Sequence, residues 1–384
     1  MELTAVVFNA PLAVYDRQAA QLLAGFNAGD ADAVRLFWHK HPRFLDAEIP
    51  WLAKRMTEEE VREAPLDHAD AQLALARWYD FADWQRLIEY VESVTADGSP
   101  VALFESAVEA VVTGDESALR QALHEHPDLV RSRSTRVTHF EPPVHGATLL
   151  HYVAANGVEE HRQKTPANAV EIAKTLLDAG ANPDALAGMY GGQATTMSML
   201  VSSAHPRAAG MQIPLVDVLL DYGAAVDGAG VGDWVSPLMT ALAFGYEDVA
   251  ETLVQRGARA DTLPAVAGLG RLRDAERLLA AAGGDERHRA LVLAAQHGHV
   301  EIVRLLLEAG EDPNRYNPRG NHGHSTPLHQ AVWAGHDAVV RLLVERGARL
   351  DISDTIYHAT PLGWAEYAGR AEIAQYLRSR GTAA

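Results

Sequence analysis

Apolar residues along the chain come in short bursts, each closed by a glycine. In 326–347, Leu328, Ala331 and Val332 recur at helical spacing, Gly335 follows, and Val339, Val340, Leu342 and Leu343 form a second burst before Gly347. This spelling predicts two short helices. Thr326 caps the first and Pro327 sits in its first turn. Gly335 permits a left-handed turn, and a second helix from Ala338 to Glu345 stops at Gly347. A polar extended stretch with Asp or Asn then leads onward.

The same pattern recurs at 104–129, 147–184, 194–227, 236–261, 263–284, 289–314, 325–351 and 359–381. Thr326 and Thr360 mark the 34-residue period of the last two copies. One such unit cannot bury its own apolar face, so the units must stack. Residues 1–98 do not follow the period. There, 16–46 reads as one helix pair with Gly29 and Asp30 at its turn, and 67–93 as a second pair with a dense apolar set that includes Leu75, Trp78, Phe81, Trp84 and Leu87. We therefore expect two domains, 1–98 and 99–384.

The motifs Thr326-Pro327-Leu328-His329, Gly335-His336, Gly347-Ala348, Gly298-His299 and Asp312-Pro313-Asn314 resemble the ankyrin repeat family. The likeness is specific over 235–384 and weaker over 101–234. It implies an all-α fold: an ankyrin-repeat solenoid of about eight helix-pair units with hairpin fingers. The first hundred residues resemble the small helical module found ahead of such arrays in bacterial proteins. It would cap the first unit, since a terminal unit needs a polar outer face; a partner-docking domain is the other reading.

The resemblance further implies that a partner protein or small ligand binds on the concave, finger-lined face. The two positions before each helix-ending glycine are the usual contact pair. Here they supply Phe244, Leu269, His297, Trp333 and Tyr367, an aromatic stripe. Either these rings meet a guest or the inserted loops fold down and cover them.

The net charge of −18 argues against nucleic acid and against an anionic membrane surface. With no cysteine, disulfides, thiolate zinc sites and cysteine nucleophiles are excluded. The first residues lack the basic and apolar segments of a signal peptide, so we expect a cytoplasmic protein.

Departures from the repeat carry the candidate chemistry. Long fingers or insertions span 131–147, 158–169, 186–194, 204–212 and 314–325. They hold His139, His145, Tyr190, His205, His322 and His324 as acid–base candidates, with Arg136, Glu141, Gln193, Arg207, Tyr316 and Arg319 as ligand-binding candidates. His151 and His329, in Thr-x-x-His, and His299 and His336, after the helix-ending glycine, read as scaffold. No metal site is expected: His322-x-His324 lacks a third ligand. No cofactor is expected either, because phosphate-loop and dinucleotide motifs are missing. A binding module is the leading expectation. The alternative is a cofactor-independent enzyme performing His/Tyr acid–base chemistry, of dehydratase, isomerase or cyclase type, in a pocket closed by the long loops.

Overall fold

The computed structural model describes residues 4–6 and 8–381. Two compact units partition the chain, the first running to Ala225 with Ala229–Gly232 added, the second comprising Val226–Gly228 and Asp233 onward.

In the first unit, five helices come first: α1 (Leu12–Asn27), α2 (Ala31–Lys40), α3 (Glu58–Arg62), α4 (His68–Trp78) and α5 (Trp84–Thr95). Polar caps fix where they start. The Asp30 carboxylate accepts from the amides of Asp32 and Ala33, and Thr57 and Asp67 close capping boxes with Glu60 and Asp70. Their apolar faces converge on one aromatic core that includes Phe8, Tyr15, Phe26, Phe37, Tyr79, Phe81 and Tyr90.

Helix pairs follow: α6 (Pro100–Thr113) with α7 (Glu116–Glu125), then α8 (Leu149–Val153) with α9 (Ala169–Asp178). The hairpin β1 (Ala187–Met189) and β2 (Gly192–Ala194) pairs Ala187 with Ala194 in antiparallel register. The third pair, α10 (Thr196–Leu200) and α12 (Gln212–Asp221), carries the short α11 (Ala204–Ala208) between its members.

The insertion 158–169, expected to be a functional loop, packs inward instead. Glu159 and Arg162 are buried, and Arg162 forms a two-pronged ion pair with Glu105 of α6. Arg136, expected to meet a ligand, is fully buried. Its guanidinium lies 3.0 Å from the Glu159 carboxylate, donates to the Tyr79 carbonyl, and packs 4.3 to 5.5 Å from the ring centres of Phe8, Phe81 and Tyr90. Tyr90 donates to Glu105, and Tyr152 to Glu159. Burial alone would raise the Glu159 carboxyl, yet Arg136, His145 and Arg162 hold it well below the usual carboxylate range. Asp80, with less cationic help, is pushed up to about 6 by burial and accepts from the Glu160 amide. The charges are in this cluster because aromatic rings and opposite charges surround each one; a lone buried charge would be far costlier. The cluster thus ties the first five helices to the pairs that follow.

In the second unit five pairs stack: α13 (Pro237–Ala243) with α14 (Glu247–Gln255), α15 (Leu263–Gly268) with α16 (Leu272–Leu279), α17 (Gly284–Gln296) with α18 (Val300–Glu308), α19 (Pro327–Ala334) with α20 (Asp337–Glu345), and α21 (Pro361–Tyr367) with α22 (Ala371–Gly381). Ser236, Thr262, Thr326 and Thr360 start the first helices, each with proline at the first or second position. An aliphatic core from Leu263 to Leu377 runs through the last four pairs. α17 is longer than its equivalents, because 284–288 extend the helix in place of a finger, with Asp285 and Glu286 in its first turn.

A repeated hydrogen bond links successive pairs. In the last three pairs, the residue after the helix-ending glycine donates to a carbonyl at the end of the preceding first helix: His299 to Gly268, His336 to Gln296, Arg370 to Trp333. Helix C-termini leave such carbonyls without partners of their own. His151 and His329 act as expected of scaffold. Each ring accepts from its cap threonine through Nδ1 and donates through Nε2, to Ala194 and Ala359 respectively.

Candidate functional site

The groove in the second unit grows from three local decisions. Gly245, Gly335 and Gly369, all with positive φ, end α13, α19 and α21, so the residue or residue pair before each glycine stands at a helix end. These positions present Phe244, Trp333 and Tyr367. α17 ends likewise at Gln296 and His297. The finger 314–325 folds back on itself, the Asn317 amide donating to the Ser325 carbonyl and the Ser325 amide to His322. His322, at φ 56°, turns its ring toward α13 and donates from Nε2 to the Ala243 carbonyl at 2.7 Å. The next finger is held by buried Asp354, whose carboxylate accepts from the amides of Ile356, Tyr357 and Ala359 and from Trp364 Nε1. Burial opposes ionisation of Asp354, but these donors, Trp364 first, hold its carboxyl below the ordinary value.

The result is an open-mouthed groove of about 990 Å³ whose lining includes Phe244, Trp333, Tyr357, Trp364 and Tyr367. Trp333 is 49% exposed and Tyr367 85%, far more than aromatic rings of a packed repeat. Trp333 and Tyr367 lie nearly parallel, 6.3 Å between centres and 18° apart, and Trp364 meets Trp333 edge-on at 6.0 Å. His322 sits edge-on to Phe244 at 5.8 Å, and His324 lies between Tyr357 and Trp364. Burial lowers His297, His322, His324 and His336, so their rings are neutral near pH 7.

Of the residues singled out from sequence, Phe244, His297, His322, His324, Trp333 and Tyr367 come together here. Leu269 is instead 93% buried, closed into the packing at the end of α15. Tyr316 and Arg319 tie fingers together: the Tyr316 hydroxyl donates to Ser353, and Arg319 lies 3.3 Å from Asp233.

The remaining candidates belong to the first unit and have separate surroundings. His139 packs on Phe140, with its basicity pushed down to about 4 by burial and by Arg77 and Lys40. His145 accepts from the Ala147 amide and faces Glu159. The Tyr190 hydroxyl donates to Asn156 at 2.8 Å, Arg207 bonds Gln212, and His205, Glu141 and Gln193 are exposed. Among the described residues no three His, Asp or Glu side chains converge as metal ligands.

Glu247, Gln330, Tyr357, Trp364 and Arg370 also line the groove and were missed. Trp364 had a readable signal, since it precedes Tyr367 by three residues and so shares its helix face. Tyr357 had none; its place follows from the turn around Asp354.

A family profile described as ankyrin repeats (three copies) matches residues 265–355 and 325–383, and an ankyrin repeat profile matches 145–187. Over 131 residues the chain is 33% identical to cyclin-dependent kinase 4 inhibitor B of Bos taurus, covering 27% of this chain and 97% of that protein. It is 30% identical over 219 residues to the ankyrin repeat and KH domain-containing protein mask-1 of Caenorhabditis elegans, covering 55% of this chain and 8% of that one. With the mouse ankyrin repeat and SAM domain-containing protein 6 it shares 36% over 97 residues, 25% of this chain and 11% of the relative. The chain thus spans about a tenth of the length of these last two relatives. Among the described residues no helix is long and apolar enough to cross a membrane. Three helix pairs in the first unit and five in the second, the glycine-terminated helices with their carbonyl bonds, and these matches agree: the chain belongs to the ankyrin-repeat family.

Proposed function

We propose that the chain is a protein-binding module and that it takes its partner in the groove lined by Phe244, Trp333, Tyr357, Trp364 and Tyr367. The observation that carries this reading is the exposure of Trp333 and Tyr367 at the mouth of a groove whose floor is rigidly built. Exposed aromatic rings on a fixed frame supply contact area at little entropic cost, the usual makeup of binding hot spots. The inhibitor-like relative, matched over nearly its whole length, is named for acting on another protein, which supports a partner-binding role here. The first five helices, within residues 1–98, act in this reading as a cap on the first helix pair.

Acid–base catalysis draws less support. His297, His322 and His336 each use Nε2 to hold a main-chain carbonyl, and a proton-transferring group would have to give that up.

The experiment is capture of the native partner by the chain immobilised through its N-terminus, comparing the parent, the double variant Trp333→Ala/Tyr367→Ala, and His205→Ala in the first unit. The reading expects the double variant to lose at least tenfold in affinity and His205→Ala to match the parent. Undiminished capture by the double variant would refute it.

A further inference from the structure

The groove has an unusual chemical bias. Many donors on its wall are already committed inside the protein, the Trp333 indole and the Tyr357 and Tyr367 hydroxyls excepted. Gln296 and His322 both donate to the Ala243 carbonyl, each at 2.7 Å, and His297 donates to Leu242 at 2.8 Å. Gln330 donates to Ser325, and Trp364 Nε1 to Asp354. Arg370, the cation of the lining, turns Nε and Nη2 onto the Trp333 carbonyl. A neutral imidazole that donates from Nε2 keeps only a lone pair on Nδ1, so His297 and His322 have acceptors to offer.

Gln296 adds an independent observation. It is 9% exposed, its amide nitrogen is occupied, and its Oε1 is buried without a partner. A buried acceptor left unmatched costs about 1–3 kcal/mol unless a ligand supplies the donor. Glu247, also in the lining, forms no ion pair among the described residues. Aromatic faces carry negative potential as well. Rings, unmatched acceptors and an unpaired carboxylate together call for a flat, donor-rich cation.

The first unit contains the filled counterpart. There the Arg136 guanidinium lies 4.3 Å from the centre of Phe81 and 4.7 Å from that of Phe8, with the Glu159 carboxylate at 3.0 Å and the Tyr79 carbonyl as acceptor. The groove repeats the rings and acceptors, but its own guanidinium, Arg370, is turned onto the Trp333 carbonyl.

We infer that the groove receives an arginine side chain from the partner protein, stacked on Trp333 and Tyr367 and hydrogen-bonded toward Gln296 and Glu247. This rests on the groove being the partner surface proposed above. A protein rather than a free small cation is the source, because the groove is several times larger than one arginine side chain and leaves room for the flanking residues. The chain's charge of −18 favours a basic segment approaching it.

The test uses the full chain with the capped tripeptide acetyl-Gly-Arg-Gly-amide and its isosteric neutral twin carrying citrulline. Binding is followed by the indole N–H signals in nitrogen-15 spectra, with Trp333 assigned from Trp333→Phe. The expected result is a saturable shift at Trp333 with the arginine peptide, at least fivefold weaker binding of the citrulline peptide, and a further loss of at least threefold in Glu247→Gln. Equal binding of both peptides, or no shift at Trp333, would overturn the arginine assignment. Either of those results leaves the Trp333→Ala/Tyr367→Ala capture experiment to judge the groove itself, so the two failures are distinguishable.

Discussion

The joint around Arg136 and the groove around Trp333 use the same materials to opposite ends. Both gather aromatic rings, a carboxylate and main-chain carbonyls. In the joint, the chain supplies its own cation from the finger, closes the rings over it, and excludes water. In the groove, the rings stand open and Gln296 Oε1 lacks a donor, whereas the unmatched atoms of the joint, Arg136 Nε and Glu159 Oε2 among them, lie enclosed with their opposite charges. The charges are closed in among rings in one place, and the rings face outward in the other. An aromatic-plus-charge spelling alone therefore does not tell a strut from a binding site; what decides is whether the chain also brings the complementary group.

The sharpest way to break the comparison is to open the joint. Glu159→Gln leaves Arg136 and Arg162 with too little negative charge in a dry site, and we expect a loss of about 3–5 kcal/mol in urea unfolding of the first unit. A loss below about 1 kcal/mol would mean that the cluster is hydrated and not a strut.

Gly298→Ala tests the second unit's frame. The position has φ 79°, and an added Cβ would come within 2.6 Å of the His336 ring. We expect a cost of about 2 kcal/mol or more from backbone and contact together. Gly310→Ala, with φ 90° and open space around it, should cost about 1 kcal/mol. Equal costs at the two positions would discount the packing of His336 on Gly298.

Acid should affect both units through one shared device. His151 and His329 are each pushed down to about 4, by burial in the first instance, while the unfolded chain titrates near 6.5. Between these values the unfolded state binds the proton and the folded state does not. Stability is thus full above about pH 6.5 and falls as pH drops toward 4, by up to about 1.4 kcal/mol per pH unit for each ring. Asp80 works the other way, since its carboxyl, raised to about 6, accepts a proton more readily when folded. Replacing His151 or His329 by Gln should flatten the pH dependence of urea stability to a similar degree in each unit. A dependence unchanged in both variants would rule out these rings as its source.

The smallest stability effect is expected at the groove mouth. Tyr367→Ala should change unfolding by no more than about 0.5 kcal/mol, since the ring is 85% exposed, even though it weakens partner binding. A larger destabilisation would make Tyr367 part of the frame.

The sequence makes the frame readable for a physical reason. Leu328, Val332, Val339 and Leu343 obey helical spacing, and glycines such as Gly335 punctuate it, so local chemistry and global stacking agree. Trp333 and Tyr367 were legible too, because the position before a helix-ending glycine is fixed by the repeat. Glu159, His161 and Arg162 were not. Their spelling is that of a solvated loop, and only rings about 70 to 150 residues earlier, at Phe8, Phe81 and Tyr90, make burial affordable. Arg136 was misjudged for the same reason. Gln296 stands beside His297 before Gly298, but its unmatched Oε1 depends on a hydrogen bond to Ala243 that no local pattern announces.

The carbonyl ladder gives the second unit a direction. Each of these bonds runs from a later repeat back to an earlier one, opposite in sense to the bond from His329 forward to Ala359. An added repeat grafted behind Tyr367 would join this row if it carried a donor after its own helix-ending glycine, as His299, His336 and Arg370 do. Lengthening by duplication is in that sense vectorial: copies of the His336 type would extend the row of bonds at its downstream end.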